Sequence, residues 1–223
     1  MAQNEKVLDR EYMIHLLKKL DRELNVREIE ATLYVVGGAA IAFEIYYPRT
    51  TTDIDVVMKI GGEEVFEAAR AVAKTEEGLG NDWLNAQFTG GYAPGQGMTW
   101  SWFDNKDDDN PSSFFEGDRL RVEVASPEML LALKTLASRD KDLNDIYELM
   151  RQTGLKTYFD LSSNIERFTG KRLFLQQGST GNYIHINKNI RHILNNAPED
   201  LRPKIGKLGI FKKIKSIFSG KSN

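Results

Sequence analysis

With 223 residues, 41% of them hydrophobic and 10% aromatic, the chain is long enough to bury one substantial core with a small helical annex, which excludes disorder throughout. The absence of cysteine excludes disulfides, thiolate metal sites and a cysteine nucleophile, and makes a cytoplasmic location the simplest expectation. The formal charge of −2 hides an asymmetry, because residues 204–223 hold six lysines and no acid, leaving 24 basic against 32 acidic residues upstream; an acidic body argues against a broad nucleic-acid-binding surface and leaves room for a local basic groove.

The N-terminal "MAQNEKVLDREYM" has acids among its charges and no apolar h-region, so neither a signal peptide nor, farther along, a membrane span is expected. Met13, Leu16, Leu17, Leu20 and Leu24 recur at helical spacing. "TLYVV" over 32–36 reads as a buried strand, broken by Gly37-Gly38, and "AAIAFEIYY" as a helix packed on a sheet and ended by Pro48. "TTDIDVVMK" is a second strand, whose period of two puts Asp53, Asp55 and Val57 on one face and Ile54, Val56 and Met58 on the other. Val65, Phe66, Ala69 and Ala73 mark another helix. From about 78 to 118 the pattern is poor, and the segment with all three tryptophans, "TGGYAPGQGM" and "DNKDDDN" reads as a long excursion with a flexible loop near Asp107.

Alternation resumes in "RLRVEV", with Arg121 and Glu123 on one face. Ser126 and Pro127 then open a helix as N-cap and first-turn residues, with Glu128 beside its positive end. "DLNDIYELMRQTG" is one more helix, stopped by Gly154. Shorter helices are expected in "LSSNIERFTGKRLF" and "NKNIRHILNNAPEDL". Strands alternating with helices place the chain in the α/β (α+β) class, divided into a first domain over 1–154, a helical annex over 155–203 and a basic amphipathic tail over 204–223.

Two carboxylates at i and i+2 on one strand face, in apolar surroundings, are costly to bury unless a cation sits between them. Asp53 and Asp55 are therefore candidate ligands for Mg²⁺ or Mn²⁺, hard ions held by one or two carboxylates plus the phosphates of a substrate. Gly37-Gly38, between a strand and a helix, lets backbone approach phosphate closely and presents N–H groups at a helix start. Thr50, Thr51 and Thr52 add hydroxyls beside the acids. The competing reading is that the two aspartates cap a turn at an exposed strand edge.

The order strand, Gly-Gly, helix, Asp-x-Asp strand resembles the signature of the polymerase-β-like nucleotidyltransferase superfamily. "ASPEMLLALKTLASRDKDLNDIYEL", over 125–149, resembles the segment that follows the metal site in AbiEii-type nucleotidyltransferases, the toxin halves of some bacterial toxin–antitoxin and phage-defence pairs. The resemblance covers roughly residues 30–152. It implies a mixed β-sheet nucleotidyltransferase fold with a helical C-terminal region. It further implies that Gly37, Gly38 and Thr52 cradle an NTP, that Asp53 and Asp55 hold metal, that Lys134 reaches phosphate oxygens, and that Asp142 and Asp145 form the late acidic motif. A third metal carboxylate is frequent in the superfamily and Glu123 is its candidate here, with pairing to Arg121 as the alternative. The serine that often follows Gly-Gly is replaced by Ala39.

Catalysis by this route is in-line positioning with neutralisation of phosphate charge. The acceptor implied is an RNA or tRNA end, with an antitoxin protein as partner; the alternatives are a small aminoglycoside-like acceptor, or a degenerate domain that binds without catalysing. Apart from the resemblance, Lys134 could lie on a wet helix face, where its loss would hardly affect stability, and Arg139 with Asp142 and Lys141 with Asp145 are spaced as helix-surface ion pairs. His15, His185 and His192 lack zinc-ligand spacing, and neither a Gly-x-Ser-x-Gly elbow nor a Walker motif is present. In the tail, Ile210, Phe211, Ile214, Ile217 and Phe218 form a helical stripe suited to association with a partner or a second copy.

Overall fold

A computed structural model describes residues 6–45, 49–86, 111–169 and 180–202. Helix α1 (Arg10–Val26) starts where the Asp9 carboxylate accepts the Tyr12 N–H at 2.8 Å, and all five residues of its predicted stripe are buried. β1 (Ala31–Val35) leads into α2 (Gly37–Glu44), two residues earlier than the apolar pattern suggested, because Gly37 adopts a φ of 68° and starts the helix itself. β2 (Ile54–Ile60), α3 (Glu63–Ala73) and a two-residue strand β3 (Leu84–Asn85) follow. β4 (Ser112–Glu116) and β5 (Leu120–Val124) form a hairpin, and α4 (Pro127–Ala137) begins on the Ser126 cap. A 3-10 turn (Asp140–Asp142) precedes α5 (Leu143–Thr153), after which come α6 (Tyr158–Thr169), α7 (Thr180–Asn195) and a second 3-10 turn (Glu199–Leu201).

The five strands form one mixed sheet in the order β3-β2-β1-β5-β4, so the chain has an α/β fold. β1 runs parallel to β5 and antiparallel to β2. Leu33, Val35, Ile54, Val56, Leu120, Val122 and Val124 are buried at 0 or 1% exposure and form the helix-covered face. Tyr34 stands level with Val57 and Glu123 on the other side of the pleat, and the period of two adds Asp55, Lys59 and Arg121 to that side. β3 and β4 fall in the stretch read from sequence as an excursion. β3 has only two residues, and β4 is an edge strand with no buried residue, so neither leaves a hydrophobic alternation to detect. Trp83 is core, 1% exposed, with its indole N–H donating to the Ala69 carbonyl. The loop near Asp107, Trp100, Trp102 and the tail over 204–223 lie outside the described residues.

α6 starts at a reciprocal cap invisible to hydrophobic periodicity: the Asp160 carboxylate accepts the Thr157 N–H while Thr157 Oγ1 accepts the Asp160 N–H. Helices α6 and α7 pack on α4 and share one continuous core with the sheet. Among the described residues no helix is long and apolar enough to cross a membrane.

The turn after α3 is fastened to α1 by Glu76. Its carboxylate accepts from Lys19 Nζ at 2.6 Å and Tyr12 Oη at 2.8 Å, with His15 Nε2 at 3.2 Å, and its side chain is 13% exposed. The hydrogen bonds from Lys19 and Tyr12 outweigh burial and hold its carboxyl down at about 2. This stabilisation is complete above the ordinary value of 4.5 and is lost as pH falls towards 2. Glu76→Gln is expected to cost about 1–2 kcal/mol at pH 7, allowing for solvent screening, with the gap to wild type closing between about pH 4.5 and 2. Urea denaturation of both proteins across that range checks it.

Candidate active site

At the end of β1, Gly37 takes a left-handed conformation and the chain turns into α2. A Cβ on Gly37 would stand 2.6 Å from Asp55 Oδ2, so the position excludes side chains both by backbone angle and by the close approach of the carboxylate. The Val36 N–H donates to the Asp55 carbonyl at 2.9 Å, locking the Gly-Gly turn to the neighbouring strand. A Cβ on Gly38 would stand 3.1 Å from Thr51 Oγ1. Ala39 is buried in the core, so the hydroxyl beside the glycines comes from Thr51 rather than from the residue after Gly-Gly.

The segment 49–53 is pinned by a two-way bridge in which the Leu8 and Thr51 backbones exchange hydrogen bonds at 2.7 and 3.0 Å. Asp53 lies one residue before β2, and its two oxygens accept from Thr51 Oγ1 and from Asn85 Nδ2, each at 3.2 Å. Burial, and then the charge of Asp53, push the Asp55 carboxyl up to about 6, while Arg139, Lys134 and Lys141 act in the opposite sense.

Facing these acids, α4 presents Leu130, Leu133, Lys134 and Ala137, one helix face at i, i+3, i+4 and i+7. Lys134 is buried at 7% exposure. Its ammonium donates to Asp142 Oδ1 at 2.6 Å and to Asp145 Oδ2 at 2.8 Å, and both acids are themselves buried. Arg139 Nε holds the other oxygen of Asp142 at 2.5 Å, and Arg49 Nε lies 3.1 Å from Asp145 Oδ1. Burial alone would raise Asp142, but the hydrogen bonds from Lys134 and Arg139 hold it below the ordinary carboxylate value. The wet-face reading of Lys134 is thus excluded. Asp145 faces Lys134 and Arg49, whereas Asp142 and Arg139 do pair as their spacing suggests.

Gly37, Gly38, Thr52, Asp53, Asp55, Lys134 and Asp142 line a single cavity of about 850 Å³, joined there by Arg49, Arg139 and Lys141. Glu123 is not brought to it. Lys59 and Arg121 share the Glu123 carboxylate, drawing it along the open face of the sheet away from Asp55. Among the described residues no three His, Cys, Asp or Glu side chains gather as a metal cage. The donors present are nonetheless all hard oxygens: the Asp53 and Asp55 carboxylates and the threonine hydroxyls that line the same cavity. With Asp55 raised first by burial and then by the charge of Asp53, they fit a hard divalent cation of the Mg²⁺ type.

Sequence reading missed Arg49 and Asn85, and placed Arg139 and Lys141 only on a helix surface. Arg49 had a weak signal, a cation four residues ahead of Asp53; Asn85 had none, since β3 is too short to read. Comparison with models of known protein families, with curated proteins and with solved structures finds no match.

Two stability tests follow from these charges. Between the ordinary value of 3.8 and about 6 the folded chain holds more protons at Asp55 than the unfolded chain, so stability falls with rising pH and the cost is complete above about 6. In metal-free buffer Asp55→Asn is expected to exceed wild type by about 1–2 kcal/mol at pH 7.5, discounted for partial exposure, and to match it near pH 4. Lys134→Ala leaves two buried carboxylates without their shared cation and is expected to cost about 3–5 kcal/mol at pH 7. Thermal and urea melts measure both.

Proposed function

We propose that the chain is a metal-dependent nucleotidyltransferase that moves a nucleotide from an NTP to an acceptor. The observation that carries this reading is the convergence, on one cavity, of a Gly-Gly helix start, the Asp53–Asp55 pair and four cationic side chains from two different walls. An NTP needs all three: backbone close to its phosphates, hard oxygens for its metal, and positive charge for the rest of its negative charge. A cavity of about 850 Å³ has room for a nucleotide.

In this reading Asp53 and Asp55 hold Mg²⁺ or Mn²⁺, which when bound would supply Lewis-acid neutralisation of the phosphate oxygens. Asn85 and Thr51 orient Asp53. Gly37, Gly38, Thr51 and Thr52 bind the phosphates, and Lys134, held rigid by Asp142 and Asp145, meets the charge that shifts onto the departing pyrophosphate. Leu130, Leu133 and Val7 offer the apolar part of the cavity to the rest of the nucleotide. Glu123 takes no part, being held by Lys59 and Arg121.

The acceptor we propose is an RNA end such as that of tRNA, with activity restrained in the cell by an antitoxin protein. Arg139 and Lys141, both exposed at the cavity, suit an anionic acceptor and repel a polycationic aminoglycoside. A binding module without catalysis would use the same cavity, and the same assay separates the two.

The full chain is to be incubated with Mg²⁺, each labelled NTP and either total tRNA or an aminoglycoside, and the acceptors then weighed by mass spectrometry. The expected result is tRNA heavier by one or more nucleotides. Asp53→Ala/Asp55→Ala should lower the rate by about a hundredfold or more without lowering the thermal midpoint measured in metal-free buffer. Full transfer by the double variant would remove these residues from the site, and NTP binding without any acceptor gaining mass would favour the binding module.

A further inference from the structure

Arg49 is the cation that the nucleotide reading did not anticipate, and its surroundings distinguish it from Lys134. Lys134 is 7% exposed and its ammonium is engaged by two carboxylates. The Arg49 side chain is 32% exposed and lines the cavity. Its Nε sits 3.1 Å from Asp145 Oδ1, yet off the N–H axis, so no hydrogen bond forms and the pairing is Coulombic. Nη1 donates to the Thr50 carbonyl at 2.9 Å. Nη2 is held over the glycine turn, 3.6 Å from where a Cβ on Gly38 would stand. The guanidinium is therefore anchored at one edge by its own loop, steered by Asp145, and turned with its remaining edge towards the backbone that starts α2.

Resting on the proposed nucleotide site, we infer that Arg49 is a ligand of the nucleotide's β- and γ-phosphates, pre-aimed by Asp145 and Thr50. A planar fork at this place bridges two oxygens of adjacent phosphates, which a lysine does not. The Gly37-Gly38 backbone and Arg49 form one edge of the phosphate path, with Lys134 across the cavity. The imperfect Nε contact is consistent with a group whose better partner is the ligand: phosphate oxygens at the Nη edge add hydrogen bonds without breaking the contact with Asp145.

The test compares wild type, Arg49→Ala and Arg49→Lys by calorimetric titration with Mg²⁺–NTP, the matching NMP and inorganic tripolyphosphate, with thermal melts in parallel. For Arg49→Ala, NTP and tripolyphosphate affinity should fall about tenfold or more while NMP affinity changes less than about twofold. Arg49→Lys, which keeps the charge, should recover only part of the loss, and it carries the decision if the alanine variant does not fold. NTP and NMP weakened by the same factor would reduce Arg49 to a structural support of Asp145, and equal NTP affinity in all three proteins would remove it from the site; either result overturns the assignment. Wild-type protein that binds neither Mg²⁺–NTP nor tripolyphosphate would overturn the nucleotide reading itself, and this inference with it.

Discussion

The geometry of the cavity depends on a buried chain of alternating charge, Arg49–Asp145–Lys134–Asp142–Arg139. Its middle three members are almost inaccessible, so each must find its partner inside the protein, and removing any one strands another in a low-dielectric setting. The partners come from separate elements. Lys134 belongs to α4, Asp142 to the 3-10 turn and Asp145 to α5, while Arg49 belongs to the loop before β2. Satisfying the lysine thus sets how α5 folds back on α4 and how near that loop lies to both. The reversal is made possible by Ser138, whose left-handed φ of 41° ends α4 while its N–H still donates to the Lys134 carbonyl at 2.8 Å.

Across the cavity the charge logic is opposite. Asp53 and Asp55 share one sign, are partly buried, and have neutral neighbours in Thr51 and Asn85. Burial first, and then the charge of Asp53, raise the carboxyl of Asp55. The wall from α4 and the turn after it is then rich in cations, Lys134, Arg139 and Lys141, and the strand wall carries the acid pair with Arg49 beside the glycine turn, separated by a cavity. A ligand bringing both a divalent cation and several negative oxygens complements both walls at once, whereas a simple anion or a simple cation complements only one.

The C-terminal helices bear on the site through α4. Asn189 Nδ2 donates to the Leu136 carbonyl at 2.8 Å and Asn164 Nδ2 to the Glu128 carbonyl at 2.9 Å, engaging α4 near both its ends, and Tyr147 on α5 donates to the Ile193 carbonyl on α7. α6 and α7 therefore form the back of the helix whose front lines the cavity, and the annex read beyond residue 154 is part of the support of the site.

Which features were legible in the sequence follows from the range of the forces behind them. The stripe of α1, the Ser126 cap, the alternation of β2 and β5 and the glycine stop at Gly154 arise from contacts and dihedral preferences within a few residues, and these were readable in advance. Asp53 and Asp55 were readable as neighbours and do line one cavity, but Asp53 precedes β2, so its hydrogen bonds from Thr51 and Asn85 rather than the strand's period of two hold it there. Short or unpatterned elements such as β3 and β4 left no such trace, and with β3 hidden, so was the amide of Asn85 that holds Asp53. The fates of Glu123, Lys134 and Arg49 were decided only by the tertiary structure. Glu123 is turned away by Lys59, 64 positions distant in the chain, and Lys134 is buried because α5 doubles back on α4. Arg49 meets Asp145 only because Leu8 and Thr51 clamp its loop beside that helix pair. Charges act through space, and a side chain's partner is set by whichever element the fold brings alongside, so ionisable residues of identical appearance in sequence end as a sheet-face ion pair, a buried bridge and an edge of the cavity.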